Sequence, residues 1–196
     1  MKKPYRTMPN LIFDHYMLRT ISKKDANDMY DYGKNPEVVK YLSWGPMKDL
    51  KDAKYAIKTV FLPRFKKGLP IGYAIVDLLS DKMIGTIDFH TKDDQRNGAE
   101  IGYVLHQDYW NKGIMSEALA IMLDVGFTHL RYDIIKIKHL VDNIASQKVI
   151  LKTPFSYVGR EAMTITRFGT TQQVEMFCYE LTKEAYHGYQ QSKGNV

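Results

Sequence analysis

The sequence predicts a mixed α/β fold: one central mixed β-sheet of about seven strands with helices on its faces. Three observations predict it. Hydrophobic period and turn residues give the order one strand, a run of helices, three strands, a helix, a strand, a helix and two strands. A short turn joins two middle strands into an antiparallel hairpin, whereas helices separate later strands, so the sheet holds both strand directions. The 196 residues, 44% hydrophobic and 26% charged, suit one domain with a substantial core and contain no repeat or low-complexity tract.

Each element has a local cause. Phe13 to Ile21 mixes apolar and polar positions and reads as the first strand. Ser22 and Asp25 have the spacing of a capping box and start a helix through about Tyr32. Asn35-Pro36 starts a second helix, ending near Leu42 ahead of Ser43-Trp44-Gly45-Pro46. A third begins near Leu50, is broken or kinked by Pro63, and is closed by Gly68 and Pro70. Ile71 to Leu79 and Met83 to His90 flank Ser80-Asp81-Lys82 as a hairpin. Thr91 to Gly98 is polar and reads as a loop, and Ala99 to Leu105 as a strand. The loop Asp108 to Gly113 then leads into an amphipathic helix from about Ser116 to Leu130. Ile134 to Val141 alternates isoleucines with lysines, as a strand would. A helix from Ser146 to about Thr153 and strands over Phe155–Thr166 and Gln172–Leu181 complete the fold. The resulting limits are an N-terminal extension over 1–12, the domain over 13–183, and a polar, frayed tail over 184–196.

Composition narrows the function classes. No apolar run approaches the roughly 20 residues that span a bilayer, and the basic stretch Met1 to Met8 lacks a signal-peptide core. A cytoplasmic protein without a membrane partner is expected. The single cysteine, Cys178, excludes an internal disulfide and reads as a small buried residue rather than a nucleophile. The formal charge of +6 suits a phosphate-bearing ligand. No basic stripe interleaved with aromatics stands out, so nucleic acid is not an expected partner. The six histidines show no metal-ligand spacing, and no metal is expected. Met115 and Met122 belong to core stripes.

The most informative stretch runs from Glu100 through Tyr109-Trp110-Asn111-Lys112-Gly113 to Ser116-Glu117-Ala118. A strand enters a short loop, and a helix opens at once. Unpaired backbone donors and the positive end of the helix dipole then converge on one point, which is an anion site. Gly113, lacking Cβ, lets a pyrophosphate approach closely, and Ser116 either caps the helix or donates to a phosphate. Neither the Walker pattern nor the dinucleotide fingerprint is present. Taken alone, the same residues also describe an ordinary tight turn with a capping serine.

The segment Tyr109 to Ala118 resembles the acetyl-CoA-binding motif of the GNAT superfamily of N-acetyltransferases, in particular the branch typified by RimJ and RimL. Met115 stands where that family often has alanine or glycine. The similarity extends from about Met17 to Leu181 through Asn35-Pro36-Glu37-Val38, Trp44-Gly45-Pro46, Ile84-Gly85-Thr86-Ile87, Asn143 to Ser146 and Lys152 to Phe155. Pro154 replaces the glycine that normally ends the last helix, so that turn needs another geometry. The resemblance implies the GNAT acyl-CoA N-acyltransferase fold, a sheet splayed like a V between its fourth and fifth strands, with acetyl-CoA as co-substrate. The pantetheine arm would pair with backbone near Val104 and Leu105. Asn111, Lys112, Gly113, Ile114, Met115 and Ser116 would hold the pyrophosphate, with Asn143 and Ser146 near the thiol end.

Transfer to nitrogen needs a neutral amine, so the acceptor must lose a proton before or during direct attack in a ternary complex. Glu100 is the candidate base, directly or through water, although the same carboxylate could be paired with a surface lysine or arginine. A backbone N–H near Val104 is the candidate oxyanion donor. Ser146 is the candidate acid at the thiol, and it is also read as the cap of its helix. Tyr103 and Tyr157 are further phenolic candidates. Tyr41, Trp44 and His90 are placed on the acceptor side, His90 as a wall residue. The acceptor class stays open between a protein or peptide N-terminal amine and a small molecule (polyamine, amino sugar or antibiotic). A CoA-binding regulatory module is the third reading, and a monomer and a homodimer are both compatible.

Overall fold

A computed structural model describes residues 8–167 and 170–194. One sheet of eight strands runs through the molecule in the order β1-β2-β3-β4-β5-β6-β8-β7. These are β1 (Leu11–Phe13), β2 (Tyr16–Thr20), β3 (Tyr73–Asp77), β4 (Lys82–Asp93), β5 (Gly98–Leu105), β6 (Ile134–Leu140), β7 (Ser156–Arg167) and β8 (Thr170–Thr182). Every adjacent pair is antiparallel except β5 and β6, which run parallel. The mixed α/β reading is therefore the observed fold. The eighth strand is β1, whose Leu11 and Ile12 fall in the segment read as an N-terminal extension.

The middle of the sheet is buried on both faces, which is why β3 reads as an apolar run from Tyr73 to Val76. Tyr73 and Ile75 join one core with α4 (Ile114–Asp124), α5 (Ile144–Ile150) and α6 (Lys183–Gly194). Ala74 and Val76 join the other with α1 (Ala26–Gly33), α2 (Pro36–Val39) and α3 (Leu50–Ala56). Helix starts follow the capping side chains. The Ser22–Asp25 box is formed, Asn35 accepts from the Glu37 amide ahead of Pro36, and Asp49 accepts from Lys51. After α3 the chain passes through a π turn (Ile57–Phe61) and a 3-10 helix (Leu62–Lys67) containing Pro63, ending at left-handed Gly68.

Three expectations are corrected, and the turn at Pro154 takes another geometry as expected. β4 continues to Asp93, so the loop before β5 shrinks to residues 94–97. α2 ends at Val39, short of Leu42. α5 leaves through 3-10 turns, with Thr153 giving both its amide (3.0 Å) and its hydroxyl (2.6 Å) to the Ile150 carbonyl. That exit needs no left-handed residue, which accommodates Pro154. The polar tail is a helix, α6, whose Tyr186 is buried and stacks on Phe127 at 4.8 Å. Its polar residues are mostly exposed, and Tyr186 is its one buried side chain among the described residues.

Candidate active site

The site begins where the sheet divides. β5 pairs with β6 only at Gly98, Ala99 and Glu100, while its pairing with β4 continues to Leu105. Beyond Glu100 the two strands part, because β6 follows β8 instead. The His106 amide donates to the Ile84 carbonyl at 2.7 Å, and Val104 stands opposite Thr86. Backbone direction alternates along an antiparallel strand, so Val104 turns its N–H and C=O toward β4, while Tyr103 and Leu105 turn theirs toward the gap. This corrects the expectation for Val104: its main chain is committed to β4, and the amides of Tyr103 and Leu105 are the ones that face the gap. The Leu105 carbonyl already accepts from the Trp110 indole N–H at 2.9 Å.

The loop after β5 is held at several points. Trp110 ties it to Leu105, and the Tyr109 hydroxyl donates to Asp77 at 3.0 Å. Burial pushes the Asp77 carboxyl up, but the Ser80 hydroxyl, the Leu79 amide and Tyr109 together hold it below the usual range. The Lys112 ammonium lies 5.0 Å from the Tyr109 ring centre. Asn111 (φ 61°) and Gly113 (φ 82°) are both left-handed. A Cβ added at Gly113 would meet nothing within 4 Å, so the space in front of the helix is open. Gly113, not Ser116, is the N-cap, and no side chain caps this end. Ser116 sits in the first turn and gives its amide to the Gly113 carbonyl at 2.9 Å. The amides of Ile114 and Met115 have no acceptor within the helix and face the opening, while both side chains are buried. The residue type at Met115 thus matters to the core and leaves the amide available.

Asn143 caps α5, its Oδ1 accepting from the Ser146 amide at 3.1 Å. Ser146 is therefore not the cap, and its hydroxyl is free for another role. It lies 2.8 Å from the Tyr103 hydroxyl. Burial raises the Tyr103 phenol, and the Ser146 contact opposes this only in part, so the phenol keeps its proton. Tyr157 lies on β7, 54% exposed, against Phe177 and Tyr179, and lines neither cavity described below.

Two cavities meet at β5. The larger, about 540 Å³, lies under α1 and α3, with Trp44, Tyr55 and Phe61 among its walls and Asp88 and Arg64 in its lining. The smaller, about 280 Å³, lies at the parting of β5 and β6 and contains Tyr41, Glu100, Asn143 and Ser146. His90, Gly102 and Tyr103 line both. Glu100 stands between two basic groups, with Lys138 Nζ at 3.4 Å and His90 Nε2 at 3.6 Å. The structure thus joins Glu100, Ser146, Asn143, Tyr41 and His90 in one cleft, with Trp44 across β5 from it. The reading of the residues missed the buried Arg64–Asp88 pair (2.6 Å) and the part of Gly102. Asp88 left a trace in the sequence, a carboxylate inside an apolar strand. Arg64 left none.

Comparison with known proteins agrees with this geometry. Residues 15–156 match the family model described as the acetyltransferase (GNAT) domain. The protein named uncharacterized N-acetyltransferase p20 of Bacillus licheniformis is 29% identical over 92% of this chain and 100% of its own length. The ribosomal-protein-S5-alanine acetyltransferase from Vibrio fischeri is similar in structure at TM-score 0.73 and 20% identity, covering 91% of this chain and 99% of that one. The microcin C7 self-immunity acetyltransferase MccE, solved in complex with acetyl-CoA and AMP, reaches TM-score 0.75 at 20% identity, over 90% and 98% of the two chains. With the parted strands and the uncapped helix start in place, the match across most of the chain settles the family: this protein belongs to the GNAT acetyltransferases.

Proposed function

We propose that the chain moves the acetyl group of acetyl-CoA onto a primary amine, with the N-terminal amine of a protein or peptide as acceptor. One observation carries the reading: β5 and β6 part immediately beside a helix start that no side chain caps. A gap with unpaired main-chain groups next to an anion site suits a linear, amide-bearing arm that ends in a diphosphate. When bound, acetyl-CoA supplies the thioester carbonyl. Gly113 and the amides of Ile114 and Met115, with Asn111, Lys112 and Ser116 beside them, hold the diphosphate. Main-chain groups of Tyr103 and Leu105 pair with the arm, and the Tyr103 N–H donates to the attacked carbonyl oxygen. The Tyr103–Ser146 hydroxyl pair protonates the departing sulfur, and the Glu100–His90 couple receives the acceptor's proton, directly or through water. Attack is direct. Burial, then Glu161 beside it, raise the Cys178 thiol, which argues against an acyl-enzyme there.

A likeness in fold to an enzyme named for a ribosomal protein's alanine supports a protein N-terminus as acceptor. The aromatic walls of the 540 Å³ cavity also suit a compact small-molecule amine, which is the second reading. A thiol-release assay with acetyl-CoA against N-terminal peptides, polyamines, amino sugars and aminoglycosides separates them. Turnover with peptides is the expected result. Turnover confined to small amines overturns the acceptor assignment, and saturable CoA binding without any turnover overturns catalysis itself.

A further inference from the structure

Within the Glu100–His90 couple, we infer that His90 receives the proton and that Glu100 is its positioning partner. This rests on the acetyltransferase reading above. The register of β4 on β5 jumps from Phe89↔Ile101 to Thr91↔Glu100, leaving His90 without a partner. Alternation with Phe89 puts His90 on the face that carries Glu100, and the bulge sets His90 and Thr91 together against that one residue. The next residue of β5 on that face is Gly102. A Cβ there would lie 2.9 Å from His90 Cδ2 and 3.0 Å from Nε2, closer than ordinary contact allows. Gly102 has no positive φ. Its lack of a side chain serves to give the imidazole room to lie across β5 at the junction of the two cavities.

The surroundings divide the roles. His90 Nδ1 is 2.8 Å from the Thr91 hydroxyl. With Nδ1–H donating to Thr91, the Nε2 lone pair is free on the side of Glu100. Glu100 has Lys138 of β6 at its other oxygen, and Lys138 also faces Glu161 of β7 at 3.9 Å. Asp88, on the same strand as His90, is taken by Arg64, while Asp52, buried His139 and the phenols of Tyr32, Tyr41, Tyr55 and Tyr103 are the other titratable groups lining the two cavities. The His90 side chain is 33% exposed and that of Glu100 15%. The imidazole is thus the more accessible member, and of the two side-chain types it is the one suited to proton transfer near neutral pH. In the reaction two protons leave the acceptor ammonium. Nε2 takes the first, freeing the lone pair that forms the N–C bond, and passes it to solvent. The C–S bond breaks with its electrons on sulfur. Sulfur takes a proton from the Tyr103–Ser146 pair, which the second amine proton restores. Glu100 steadies the imidazolium.

The test uses the full chain with its best acceptor. His90→Gln is expected to lower kcat by roughly 10²- to 10³-fold and to remove the acidic limb of the pH profile. CoA affinity, measured by titration, stays within about twofold of wild type, since the diphosphate loop is untouched. Imidazole added to His90→Ala restores part of the rate. Glu100→Gln lowers kcat by a smaller factor and keeps the acidic limb, since the imidazole is still present. Gly102→Ala displaces the ring and lowers kcat, but adds nothing in a His90→Ala background, a non-additivity that a purely structural role would not produce. A His90→Gln enzyme with wild-type kcat and acidic limb overturns the inference, as does an equal effect of Gly102→Ala in both backgrounds. Absence of turnover in the wild type overturns the acetyltransferase reading and this one together.

Discussion

At Gly113 a single residue meets two requirements. The φ of 82° is a region that L-residues with a side chain enter at a cost, and the empty space in front of it is where a phosphate oxygen would sit. Gly113→Ala should cost stability of only about 1 kcal/mol, because the added methyl meets no neighbour. It should weaken CoA binding by roughly tenfold or more, since the methyl projects into the approach to the helix amides. Calorimetric titration of CoA against wild type and variant checks this, and an unchanged dissociation constant would place the diphosphate elsewhere. His139 carries a different constraint. Burial holds its imidazole below the ordinary 6.5, opposed only by its contact with the Leu140 carbonyl. The unfolded chain therefore takes up this proton at a higher pH than the folded one. Above 6.5 the residue adds no pH dependence, and stability declines as pH falls below it. Thermal unfolding between pH 7 and 5 should show this decline, with a smaller slope for His139→Phe.

The loop between β5 and α4 is an element fixed by contacts that its own residues make with the sheet. The Trp110 indole reaches Leu105, and Tyr109 reaches Asp77 on β3. Trp110→Phe keeps most of the packing and removes one donor, worth about 1 kcal/mol, so CoA affinity should fall about fivefold. A loss with unchanged melting temperature would locate the effect in the loop, whereas no loss would make the indole bond irrelevant to the site. The boundary of this element was legible as strand, loop and helix because glycine and the change of period are local signals. Its caps were less so. Ser116 and Ser146 both have capping chemistry, but the residue whose backbone leaves the helix decides the cap, and Gly113 and Asn143 occupy those positions. The division of the sheet was not legible from residues alone. The parting of β5 from β6 depends on β8, which lies far along the chain, and the resemblance in motif supplied that expectation. The ion pair of Asp88 with Arg64 and the close approach of His90 to Gly102 were hidden for the same reason, since register and bulge are set across strands.

Across the whole molecule, the cofactor end of the site depends on packing remote from it. α4 presents its first turn to the proposed diphosphate site, and its last turn runs into the π turn Val125–His129, which carries Phe127. Tyr186 of α6 stacks on Phe127, and its hydroxyl lies 3.4 Å from Asp124, the last residue of α4. Gln190 in turn donates to that hydroxyl at 2.7 Å. The C-terminal helix thus braces the end of α4 opposite the proposed phosphate loop, although its sequence is mostly polar. Removing the aromatic anchor by Tyr186→Ala should cost about 3 kcal/mol, the scale of a buried aromatic truncation. For a chain of this size that corresponds to a fall in Tm of roughly 6 to 12 °C. Truncation before Lys183 should cost at least as much. Well below its Tm the variant should still bind CoA, because the first turn of α4 is held by its own contacts with the sheet. Differential scanning calorimetry of the full chain, the point variant and the truncation decides the matter. Equal melting temperatures in all three would mean that residues beyond 183 fray in solution and that α4 is supported by the sheet alone.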